Sequence, residues 1–218
     1  MIPIGDDDSN LRSFPLVTYV LIGLNIIFFL MELSAGEAFI VKWAFIPSQF
    51  IRNPVEESIT LLTSMFMHAG WIHLGGNMLY LWIFGDNVED LFRYLTFTAF
   101  YLICGLSATF TQLAFNMQSN IPNLGASGAI AGILGAYILL FPRRRVSVLQ
   151  GRRVIQVPAL IVIGLWFVLQ LFSGVSSLSD ISDTGGVAYM AHIGGFVAGF
   201  AVALVFKNFS KPRVSNRL

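Results

Sequence analysis

Charged side chains are scarce in this sequence. They make up 11% of 218 residues, while apolar residues make up 56% and the mean hydropathy is +0.73. Soluble domains carry about 25% charged residues, so the shortage excludes a water-facing globular surface and marks a membrane protein. Cysteine is scarcer still. The single Cys104 excludes an internal disulfide and any multi-cysteine metal site; set in an apolar run, it reads as a packing residue. Net charge is almost absent at +1, so nucleic acid is not expected as a partner. The first ten residues, "MIPIGDDDSN", are acidic and lack a basic stretch. Neither a cleaved signal peptide nor a transit peptide is therefore expected.

What the chain has instead is six apolar segments, over residues 16–33, 71–88, 91–115, 126–141, 154–172 and 187–206. Each is near the ~17–25 residues needed to cross a bilayer as a helix. Long apolar runs without period-2 alternation favour helices over strands. The expected fold is an all-α membrane bundle of six transmembrane helices over residues 16–206. A cytoplasmic segment, 1–15, precedes it and a basic cytoplasmic tail, 207–218, follows. With both termini inside, 11 of the 13 Lys and Arg lie on the cytoplasmic side and only Lys42 and Arg52 outside, as the positive-inside rule requires. The run "RRRVSVLQGRR" dominates that count and reads as a cytoplasmic loop. Residues 34–70 form a longer outer loop ending in an interfacial helix. Residues 173–186, polar and glycine-flanked, read as a mobile loop. Asp86, Glu89, Asp90 and Arg93 read as interfacial charges, with a Glu89–Arg93 pair at i,i+4.

In this topology spans two, four and six all begin on the outer side, and each begins with unusual polar residues. Span two has His73 and Asn77, four apart and so on one helical face. Span four has Ser127 inside "GASG", and span six has His192. Ser127 shares a stripe with Ala131, Leu134 and Gly135; His192 shares one with Gly195 and Gly199. Small residues let membrane helices approach closely, so spans four and six can meet along the faces that carry Ser127 and His192. Polar groups at such depth are costly unless they face a bundle interior or a wet cavity. Four at one level point to a hydrated cavity opening outward. Serine alone is commonest as a helix-packing residue, and a lone histidine is as readily a satisfied interior residue as a functional one. Together with an amide they are the parts of acyl transfer.

His68 precedes the span and reads as a structural residue of the loop. His68 and His73 are five apart, an awkward metal spacing on one helix, and there is no H-E-x-x-H or acidic partner nearby. "GASGAIAG" lacks the strand and charged partners of a nucleotide loop.

"HLGGN" at 73–77, "GASG" at 125–128 and "AHIGGFVAG" at 191–199 resemble, in order and in span, the rhomboid intramembrane serine proteases. The resemblance covers about residues 16–206. It implies a Ser127–His192 dyad, with Ser127 as nucleophile and His192 as general base. It also implies an oxyanion site from His73, Asn77 and the backbone N–H of Ser127. It requires no cofactor or metal, and transmembrane proteins within the lipid bilayer would be the substrates. Some members place an aromatic residue four after the serine to stack on the histidine. Ala131 stands there in this sequence, so packing and the Ser127 bond must orient the His192 ring. The first loop also lacks a Trp-Arg pair seen in some members. The expected activity is peptide hydrolysis in or near transmembrane segments, with 173–186 as a lid hinged at Gly185 and Gly186. A prokaryotic cell membrane, with the site facing out, is the expected location. The competing reading is a non-catalytic membrane scaffold or chaperone that grips unstable helices. A transporter fits less well, because no inverted repeat is found and the polar groups gather at one end.

Overall fold

The computed structural model describes residues 2–9, 11–177 and 187–209. Six long helices fall on the six apolar segments: α1 (Leu16–Ala35), α5 (Trp71–Phe92), α6 (Tyr94–Phe115), α7 (Ser127–Leu140), α8 (Ala159–Ser177) and α9 (Tyr189–Phe209). Three short helices, α2 (Glu37–Trp43), α3 (Pro47–Arg52) and α4 (Thr60–Thr63), occupy the loop after α1. By length and apolarity, α1, α6, α8 and α9 can cross a membrane. Their outward faces bear it out: on α8, Leu165, Val168 and Phe172 are 54%, 58% and 74% exposed, a cost in water but not in lipid.

The other two long helices differ for physical reasons. Helix α5 carries Asp86, Glu89 and Asp90 in its last turns, all buried. Helix α7 has 14 residues, a length of about 21 Å against a hydrocarbon core of about 30 Å. It lies at the centre, packed on α5, α6, α8 and α9, and from Gly128 to Tyr137 every residue is buried. A helix wrapped by others needs no lipid-facing surface.

Backbone contact holds α7 to α9. A Cβ built on Gly195 would stand 2.0 Å from the Gly128 carbonyl oxygen, and one on Gly199 2.0 Å from that of Gly132. The expected face of α9 thus meets α7 with no side chain between them, but through Gly128 and Gly132, each one residue beyond Ser127 and Ala131 of the expected stripe. Cys104 of α6 fills the other side of Gly132, where a Cβ would meet its own at 2.4 Å; it is fully buried.

A small sheet corrects the all-α expectation. Strands β2 (Arg145–Gln150) and β3 (Arg153–Pro158) form an antiparallel hairpin, and β1 (Ile2–Gly5) pairs antiparallel with β2, in the order β1-β2-β3. The basic run read as a loop is therefore mostly strand. Gly151, at φ +62°, turns it, and Val146 and Val148 point inward, fully buried. The fifth helix accordingly starts at Ala159, not at 154, and runs on through residues 173–177, which the sequence placed in a loop. The rest of that expected lid, with Gly185 and Gly186, lies outside the described residues, as does the tail from residue 210.

The acidic end of α5 also departs from expectation. Pro15 precedes α1 and gives it no side-chain cap. Glu89 supplies one across the bundle, accepting from the Val17 N–H at 2.8 Å and from the Thr18 N–H and hydroxyl, both at 2.7 Å. Asp90 accepts from the Arg12 and Ser13 N–H groups and the Ser13 hydroxyl. These carboxylates satisfy a helix N-terminus and favour its dipole.

Candidate active site

Ser127 is the first residue of α7, and the chain reaches it through Gly125. The Gly125 N–H donates to the Ser64 carbonyl at 2.9 Å, and its φ is +132°. A Cβ there would lie 2.9 Å from both Cε1 and Nε2 of His73 and 3.5 Å from the Ser127 hydroxyl. Glycine is thus required by backbone and by space, and its absent side chain leaves the Ser127 hydroxyl and the His73 ring facing one small volume. Beside it a cavity of about 40 Å³, lined by Gly125, Ser127, Ala108, Gln112 and Ala191 among others, has room for water.

The α7–α9 contact brings Ser127 and His192 together. The Ser127 hydroxyl and His192 Nε2 are 2.8 Å apart, and His192 is 8% exposed. The other ring nitrogen, Nδ1, lies 2.8 Å from the Gln170 Oε1 of α8. The Trp166 ring, one turn earlier on α8, stands 5.8 Å from the imidazole between centroids. The ring is therefore held by two neighbours on α8 as well as by Ser127, more than packing and the serine bond alone. Next to it, the Ala191 N–H donates to Gln112 Oε1 at 3.2 Å, tying the start of α9 to α6.

On α5, His73 and Asn77 point to the same side, and His68 joins them. Asn77 Nδ2 is 2.9 Å from His68 Nε2. The His68 and His73 rings meet edge to face at 5.1 Å, and the Ala69 N–H donates to His73 Nδ1 at 3.4 Å. An accepting Nδ1 puts the proton of a neutral His73 on Nε2, the atom facing Gly125. Burial, with His73 alongside, pushes His68 down to about 4. A neutral His68 can accept the Asn77 amide proton; a protonated one could not. The His68 backbone N–H donates to Glu32 Oε2 at 2.9 Å, a buried carboxylate at the end of α1. His68 is thus a member of the polar cluster, not only a loop residue.

Sequence reasoning missed Gln170, His68's link to Asn77, and Glu32. Gln170 left a signal: an amide inside an apolar helix, four residues after a tryptophan and so on the same face. Toward the other end of α5, Asp6, Asp8 and Asp86 bring one carboxylate oxygen each within 4.8 Å of one another. Asn87 donates to Asp6 and Asp8, and the Tyr137 hydroxyl makes a short bond to Asp6. Burial lifts the Asp6 carboxyl to about 8.

The chain is similar to known proteins over most of its length. The Rhomboid domain family matches residues 55–209. The Rhomboid protease GluP of Bacillus subtilis is 33% identical over 195 residues, 87% of this chain and 34% of that protein. Rhomboid protein 1, mitochondrial, of Saccharomyces cerevisiae is 27% identical over 188 residues, 84% of this chain and 51% of its own length. RHOMBOID-like protein 5 of Arabidopsis thaliana is 27% identical over 145 residues, 66% of this chain and 43% of that protein. The chain spans about half or less of the length of these relatives. They come from a bacterium, a yeast mitochondrion and a plant, so similarity gives no support to a prokaryotic membrane in particular.

Proposed function

This chain belongs to the rhomboid family, and on that premise we propose that it is an intramembrane serine endopeptidase acting through Ser127 and His192. The observation that carries the reading is the 2.8 Å contact between the Ser127 hydroxyl and His192 Nε2. His192 takes the hydroxyl proton at Nε2 as Ser127 Oγ attacks the scissile carbonyl. Negative charge then gathers on the carbonyl oxygen. The Ser127 N–H at the start of α7, His73 Nε2–H and the Asn77 amide are the donors on hand, aided by the helix dipole. His192 returns the proton to the leaving amine, and water from the adjoining cavity hydrolyses the acyl-enzyme. No step requires a metal or cofactor.

In this reading all six long helices cross the membrane, with both termini cytoplasmic, residues 1–15 and 207–218 flanking the membrane domain, and the site opening to the extracytoplasmic side. The substrates are transmembrane proteins whose backbone unwinds near Gly or Pro or at the outer helix end, since a hydrogen-bonded helix cannot present an extended peptide. Small side chains beside the cut suit the glycine-lined cavity. The test is cleavage of a panel of single-span membrane proteins in vesicles. Wild type is expected to cut members with helix-breaking outer segments and Ser127→Ala to cut none. Equal cleavage by both would overturn the reading.

A further inference from the structure

From the geometry around His192 we infer that Gln170 is the positioning residue of the dyad, taking the place that an acidic third member fills in soluble serine hydrolases. The inference rests on the hydrolytic reading above. An amide oxygen has lone pairs and no proton. At 2.8 Å from His192 Nδ1, Gln170 Oε1 therefore requires the proton of the neutral ring to sit on Nδ1. Nε2 is then bare and accepts the Ser127 hydroxyl at 2.8 Å. The opposite tautomer would turn an N–H toward the serine and leave no base.

Two features make the assignment specific. Residue 131, four after the serine, is alanine and fully buried, so α7 offers no aromatic face to hold the ring. The holding contacts come from α8, with Trp166 near the ring and Gln170 at Nδ1. An amide also suits the setting. A buried carboxylate in a membrane helix has a large desolvation cost; an amide fixes the same tautomer without a charge. When His192 takes the serine proton, Nδ1 keeps its own and donates to Gln170 throughout, so nothing beyond the Oγ-to-Nε2 transfer moves. Around the ring, α5 presents the titratable His73, while α6, α7 and α8 present Gln112, Ser127, Trp166 and Gln170, none ionising near neutral pH.

Gln170→Met and Gln170→Glu test this. Both match glutamine in length, but only glutamate keeps an acceptor oxygen, which it presents whether or not it is protonated. Gln170→Met is expected to lower kcat by about 10- to 100-fold, less than the ~10²–10⁴ of a whole general base, with KM within about twofold. Gln170→Glu is expected to return kcat to within a few-fold of wild type. The rate of Ser127 labelling by a fluorophosphonate, which needs no membrane substrate to enter, should fall and recover in parallel. Wild-type kcat and labelling in Gln170→Met would overturn the inference, and so would equal losses in both variants with unchanged unfolding midpoints. If Gln170→Met does not fold, labelling of Gln170→Glu decides: wild-type-like rates sustain the inference and slow rates overturn it. Ser127→Ala, run alongside, separates the two claims. If it is inactive while Gln170→Met is normal, only the role of Gln170 fails; if it is active, the hydrolytic reading fails.

Discussion

Replacing Gly199 by alanine should silence the site without touching it. The added methyl would stand 2.0 Å from the Gly132 carbonyl oxygen and 2.5 Å from the Gly132 Cα and carbonyl carbon, whereas ordinary contact begins at 3.4 Å. The obstructing atoms are backbone in a buried helix, so no rotamer change relieves the clash. Helices α7 and α9 must part by roughly 1.4 Å. His192 is seven residues, two turns, above Gly199 on the same face. If α9 moves as a rigid rod, the 2.8 Å contact to Ser127 stretches to about 4 Å, beyond hydrogen-bond range. A misplacement near 1 Å can cost ~10² in rate, and overpacking typically costs ~1–3 kcal/mol of stability. Gly199→Ala should therefore fold with a lowered unfolding midpoint and cleave a membrane substrate about 100-fold more slowly. Gly23→Ala on α1, where a Cβ meets nothing within 4 Å, is the matched control and should cleave as wild type. The measurement is single-turnover cleavage in detergent beside thermal unfolding of the same samples. A Gly199→Ala protein with wild-type rate and midpoint would refute the backbone-contact reasoning.

Three further outcomes follow from the structure. Asn77→Ala should lower kcat by about 10²–10³, the usual effect of losing one oxyanion donor, measured at saturating substrate. Glu89→Ala strips the cap from α1, leaving the Val17 and Thr18 N–H groups and the Thr18 hydroxyl without their acceptor. It should cost several kcal/mol, at about 1.5–3 for each bond to a charged group, seen as a lowered unfolding midpoint with near-normal activity per folded molecule. Asp6 gives a pH dependence. Its carboxyl is lifted by burial from 3.8 to about 8, so its contribution is fully present below about pH 4 and is lost as pH rises through about 8. Hydrogen exchange at residues 2–9, corrected for intrinsic rate, should quicken between pH 6 and 9 in the wild type but not in Asp6→Asn.

Much of the membrane core was legible because lipid imposes a simple rule: long apolar runs become helices. The meeting of Ser127 with His192 was legible because polar residues are costly at depth, and because glycines at 195 and 199 announce a close helix crossing. The remainder depended on contacts between distant parts of the chain. Val146 and Val148 alternate inward as a strand requires, but the arginines around them read as an orientation signal and hid the period. Glu89 caps a helix more than 70 positions away, which no local i,i+4 rule can anticipate. His68 lies nine residues from Asn77, outside the helix that carries it, and only the turn at 67–70 brings its ring back. Gln170 gave a local hint, since an amide in an apolar helix needs a partner, but nothing in spacing alone points it at His192.

The central claim is that Ser127 is made nucleophilic by His192, and covalent labelling tests it most directly. Wild-type protein treated with a fluorophosphonate and mapped by mass spectrometry is predicted to carry the adduct on Ser127, with none in Ser127→Ala and a sharply reduced yield in folded His192→Ala. A folded wild type that takes up no label, or one that labels equally well without His192, would contradict the account.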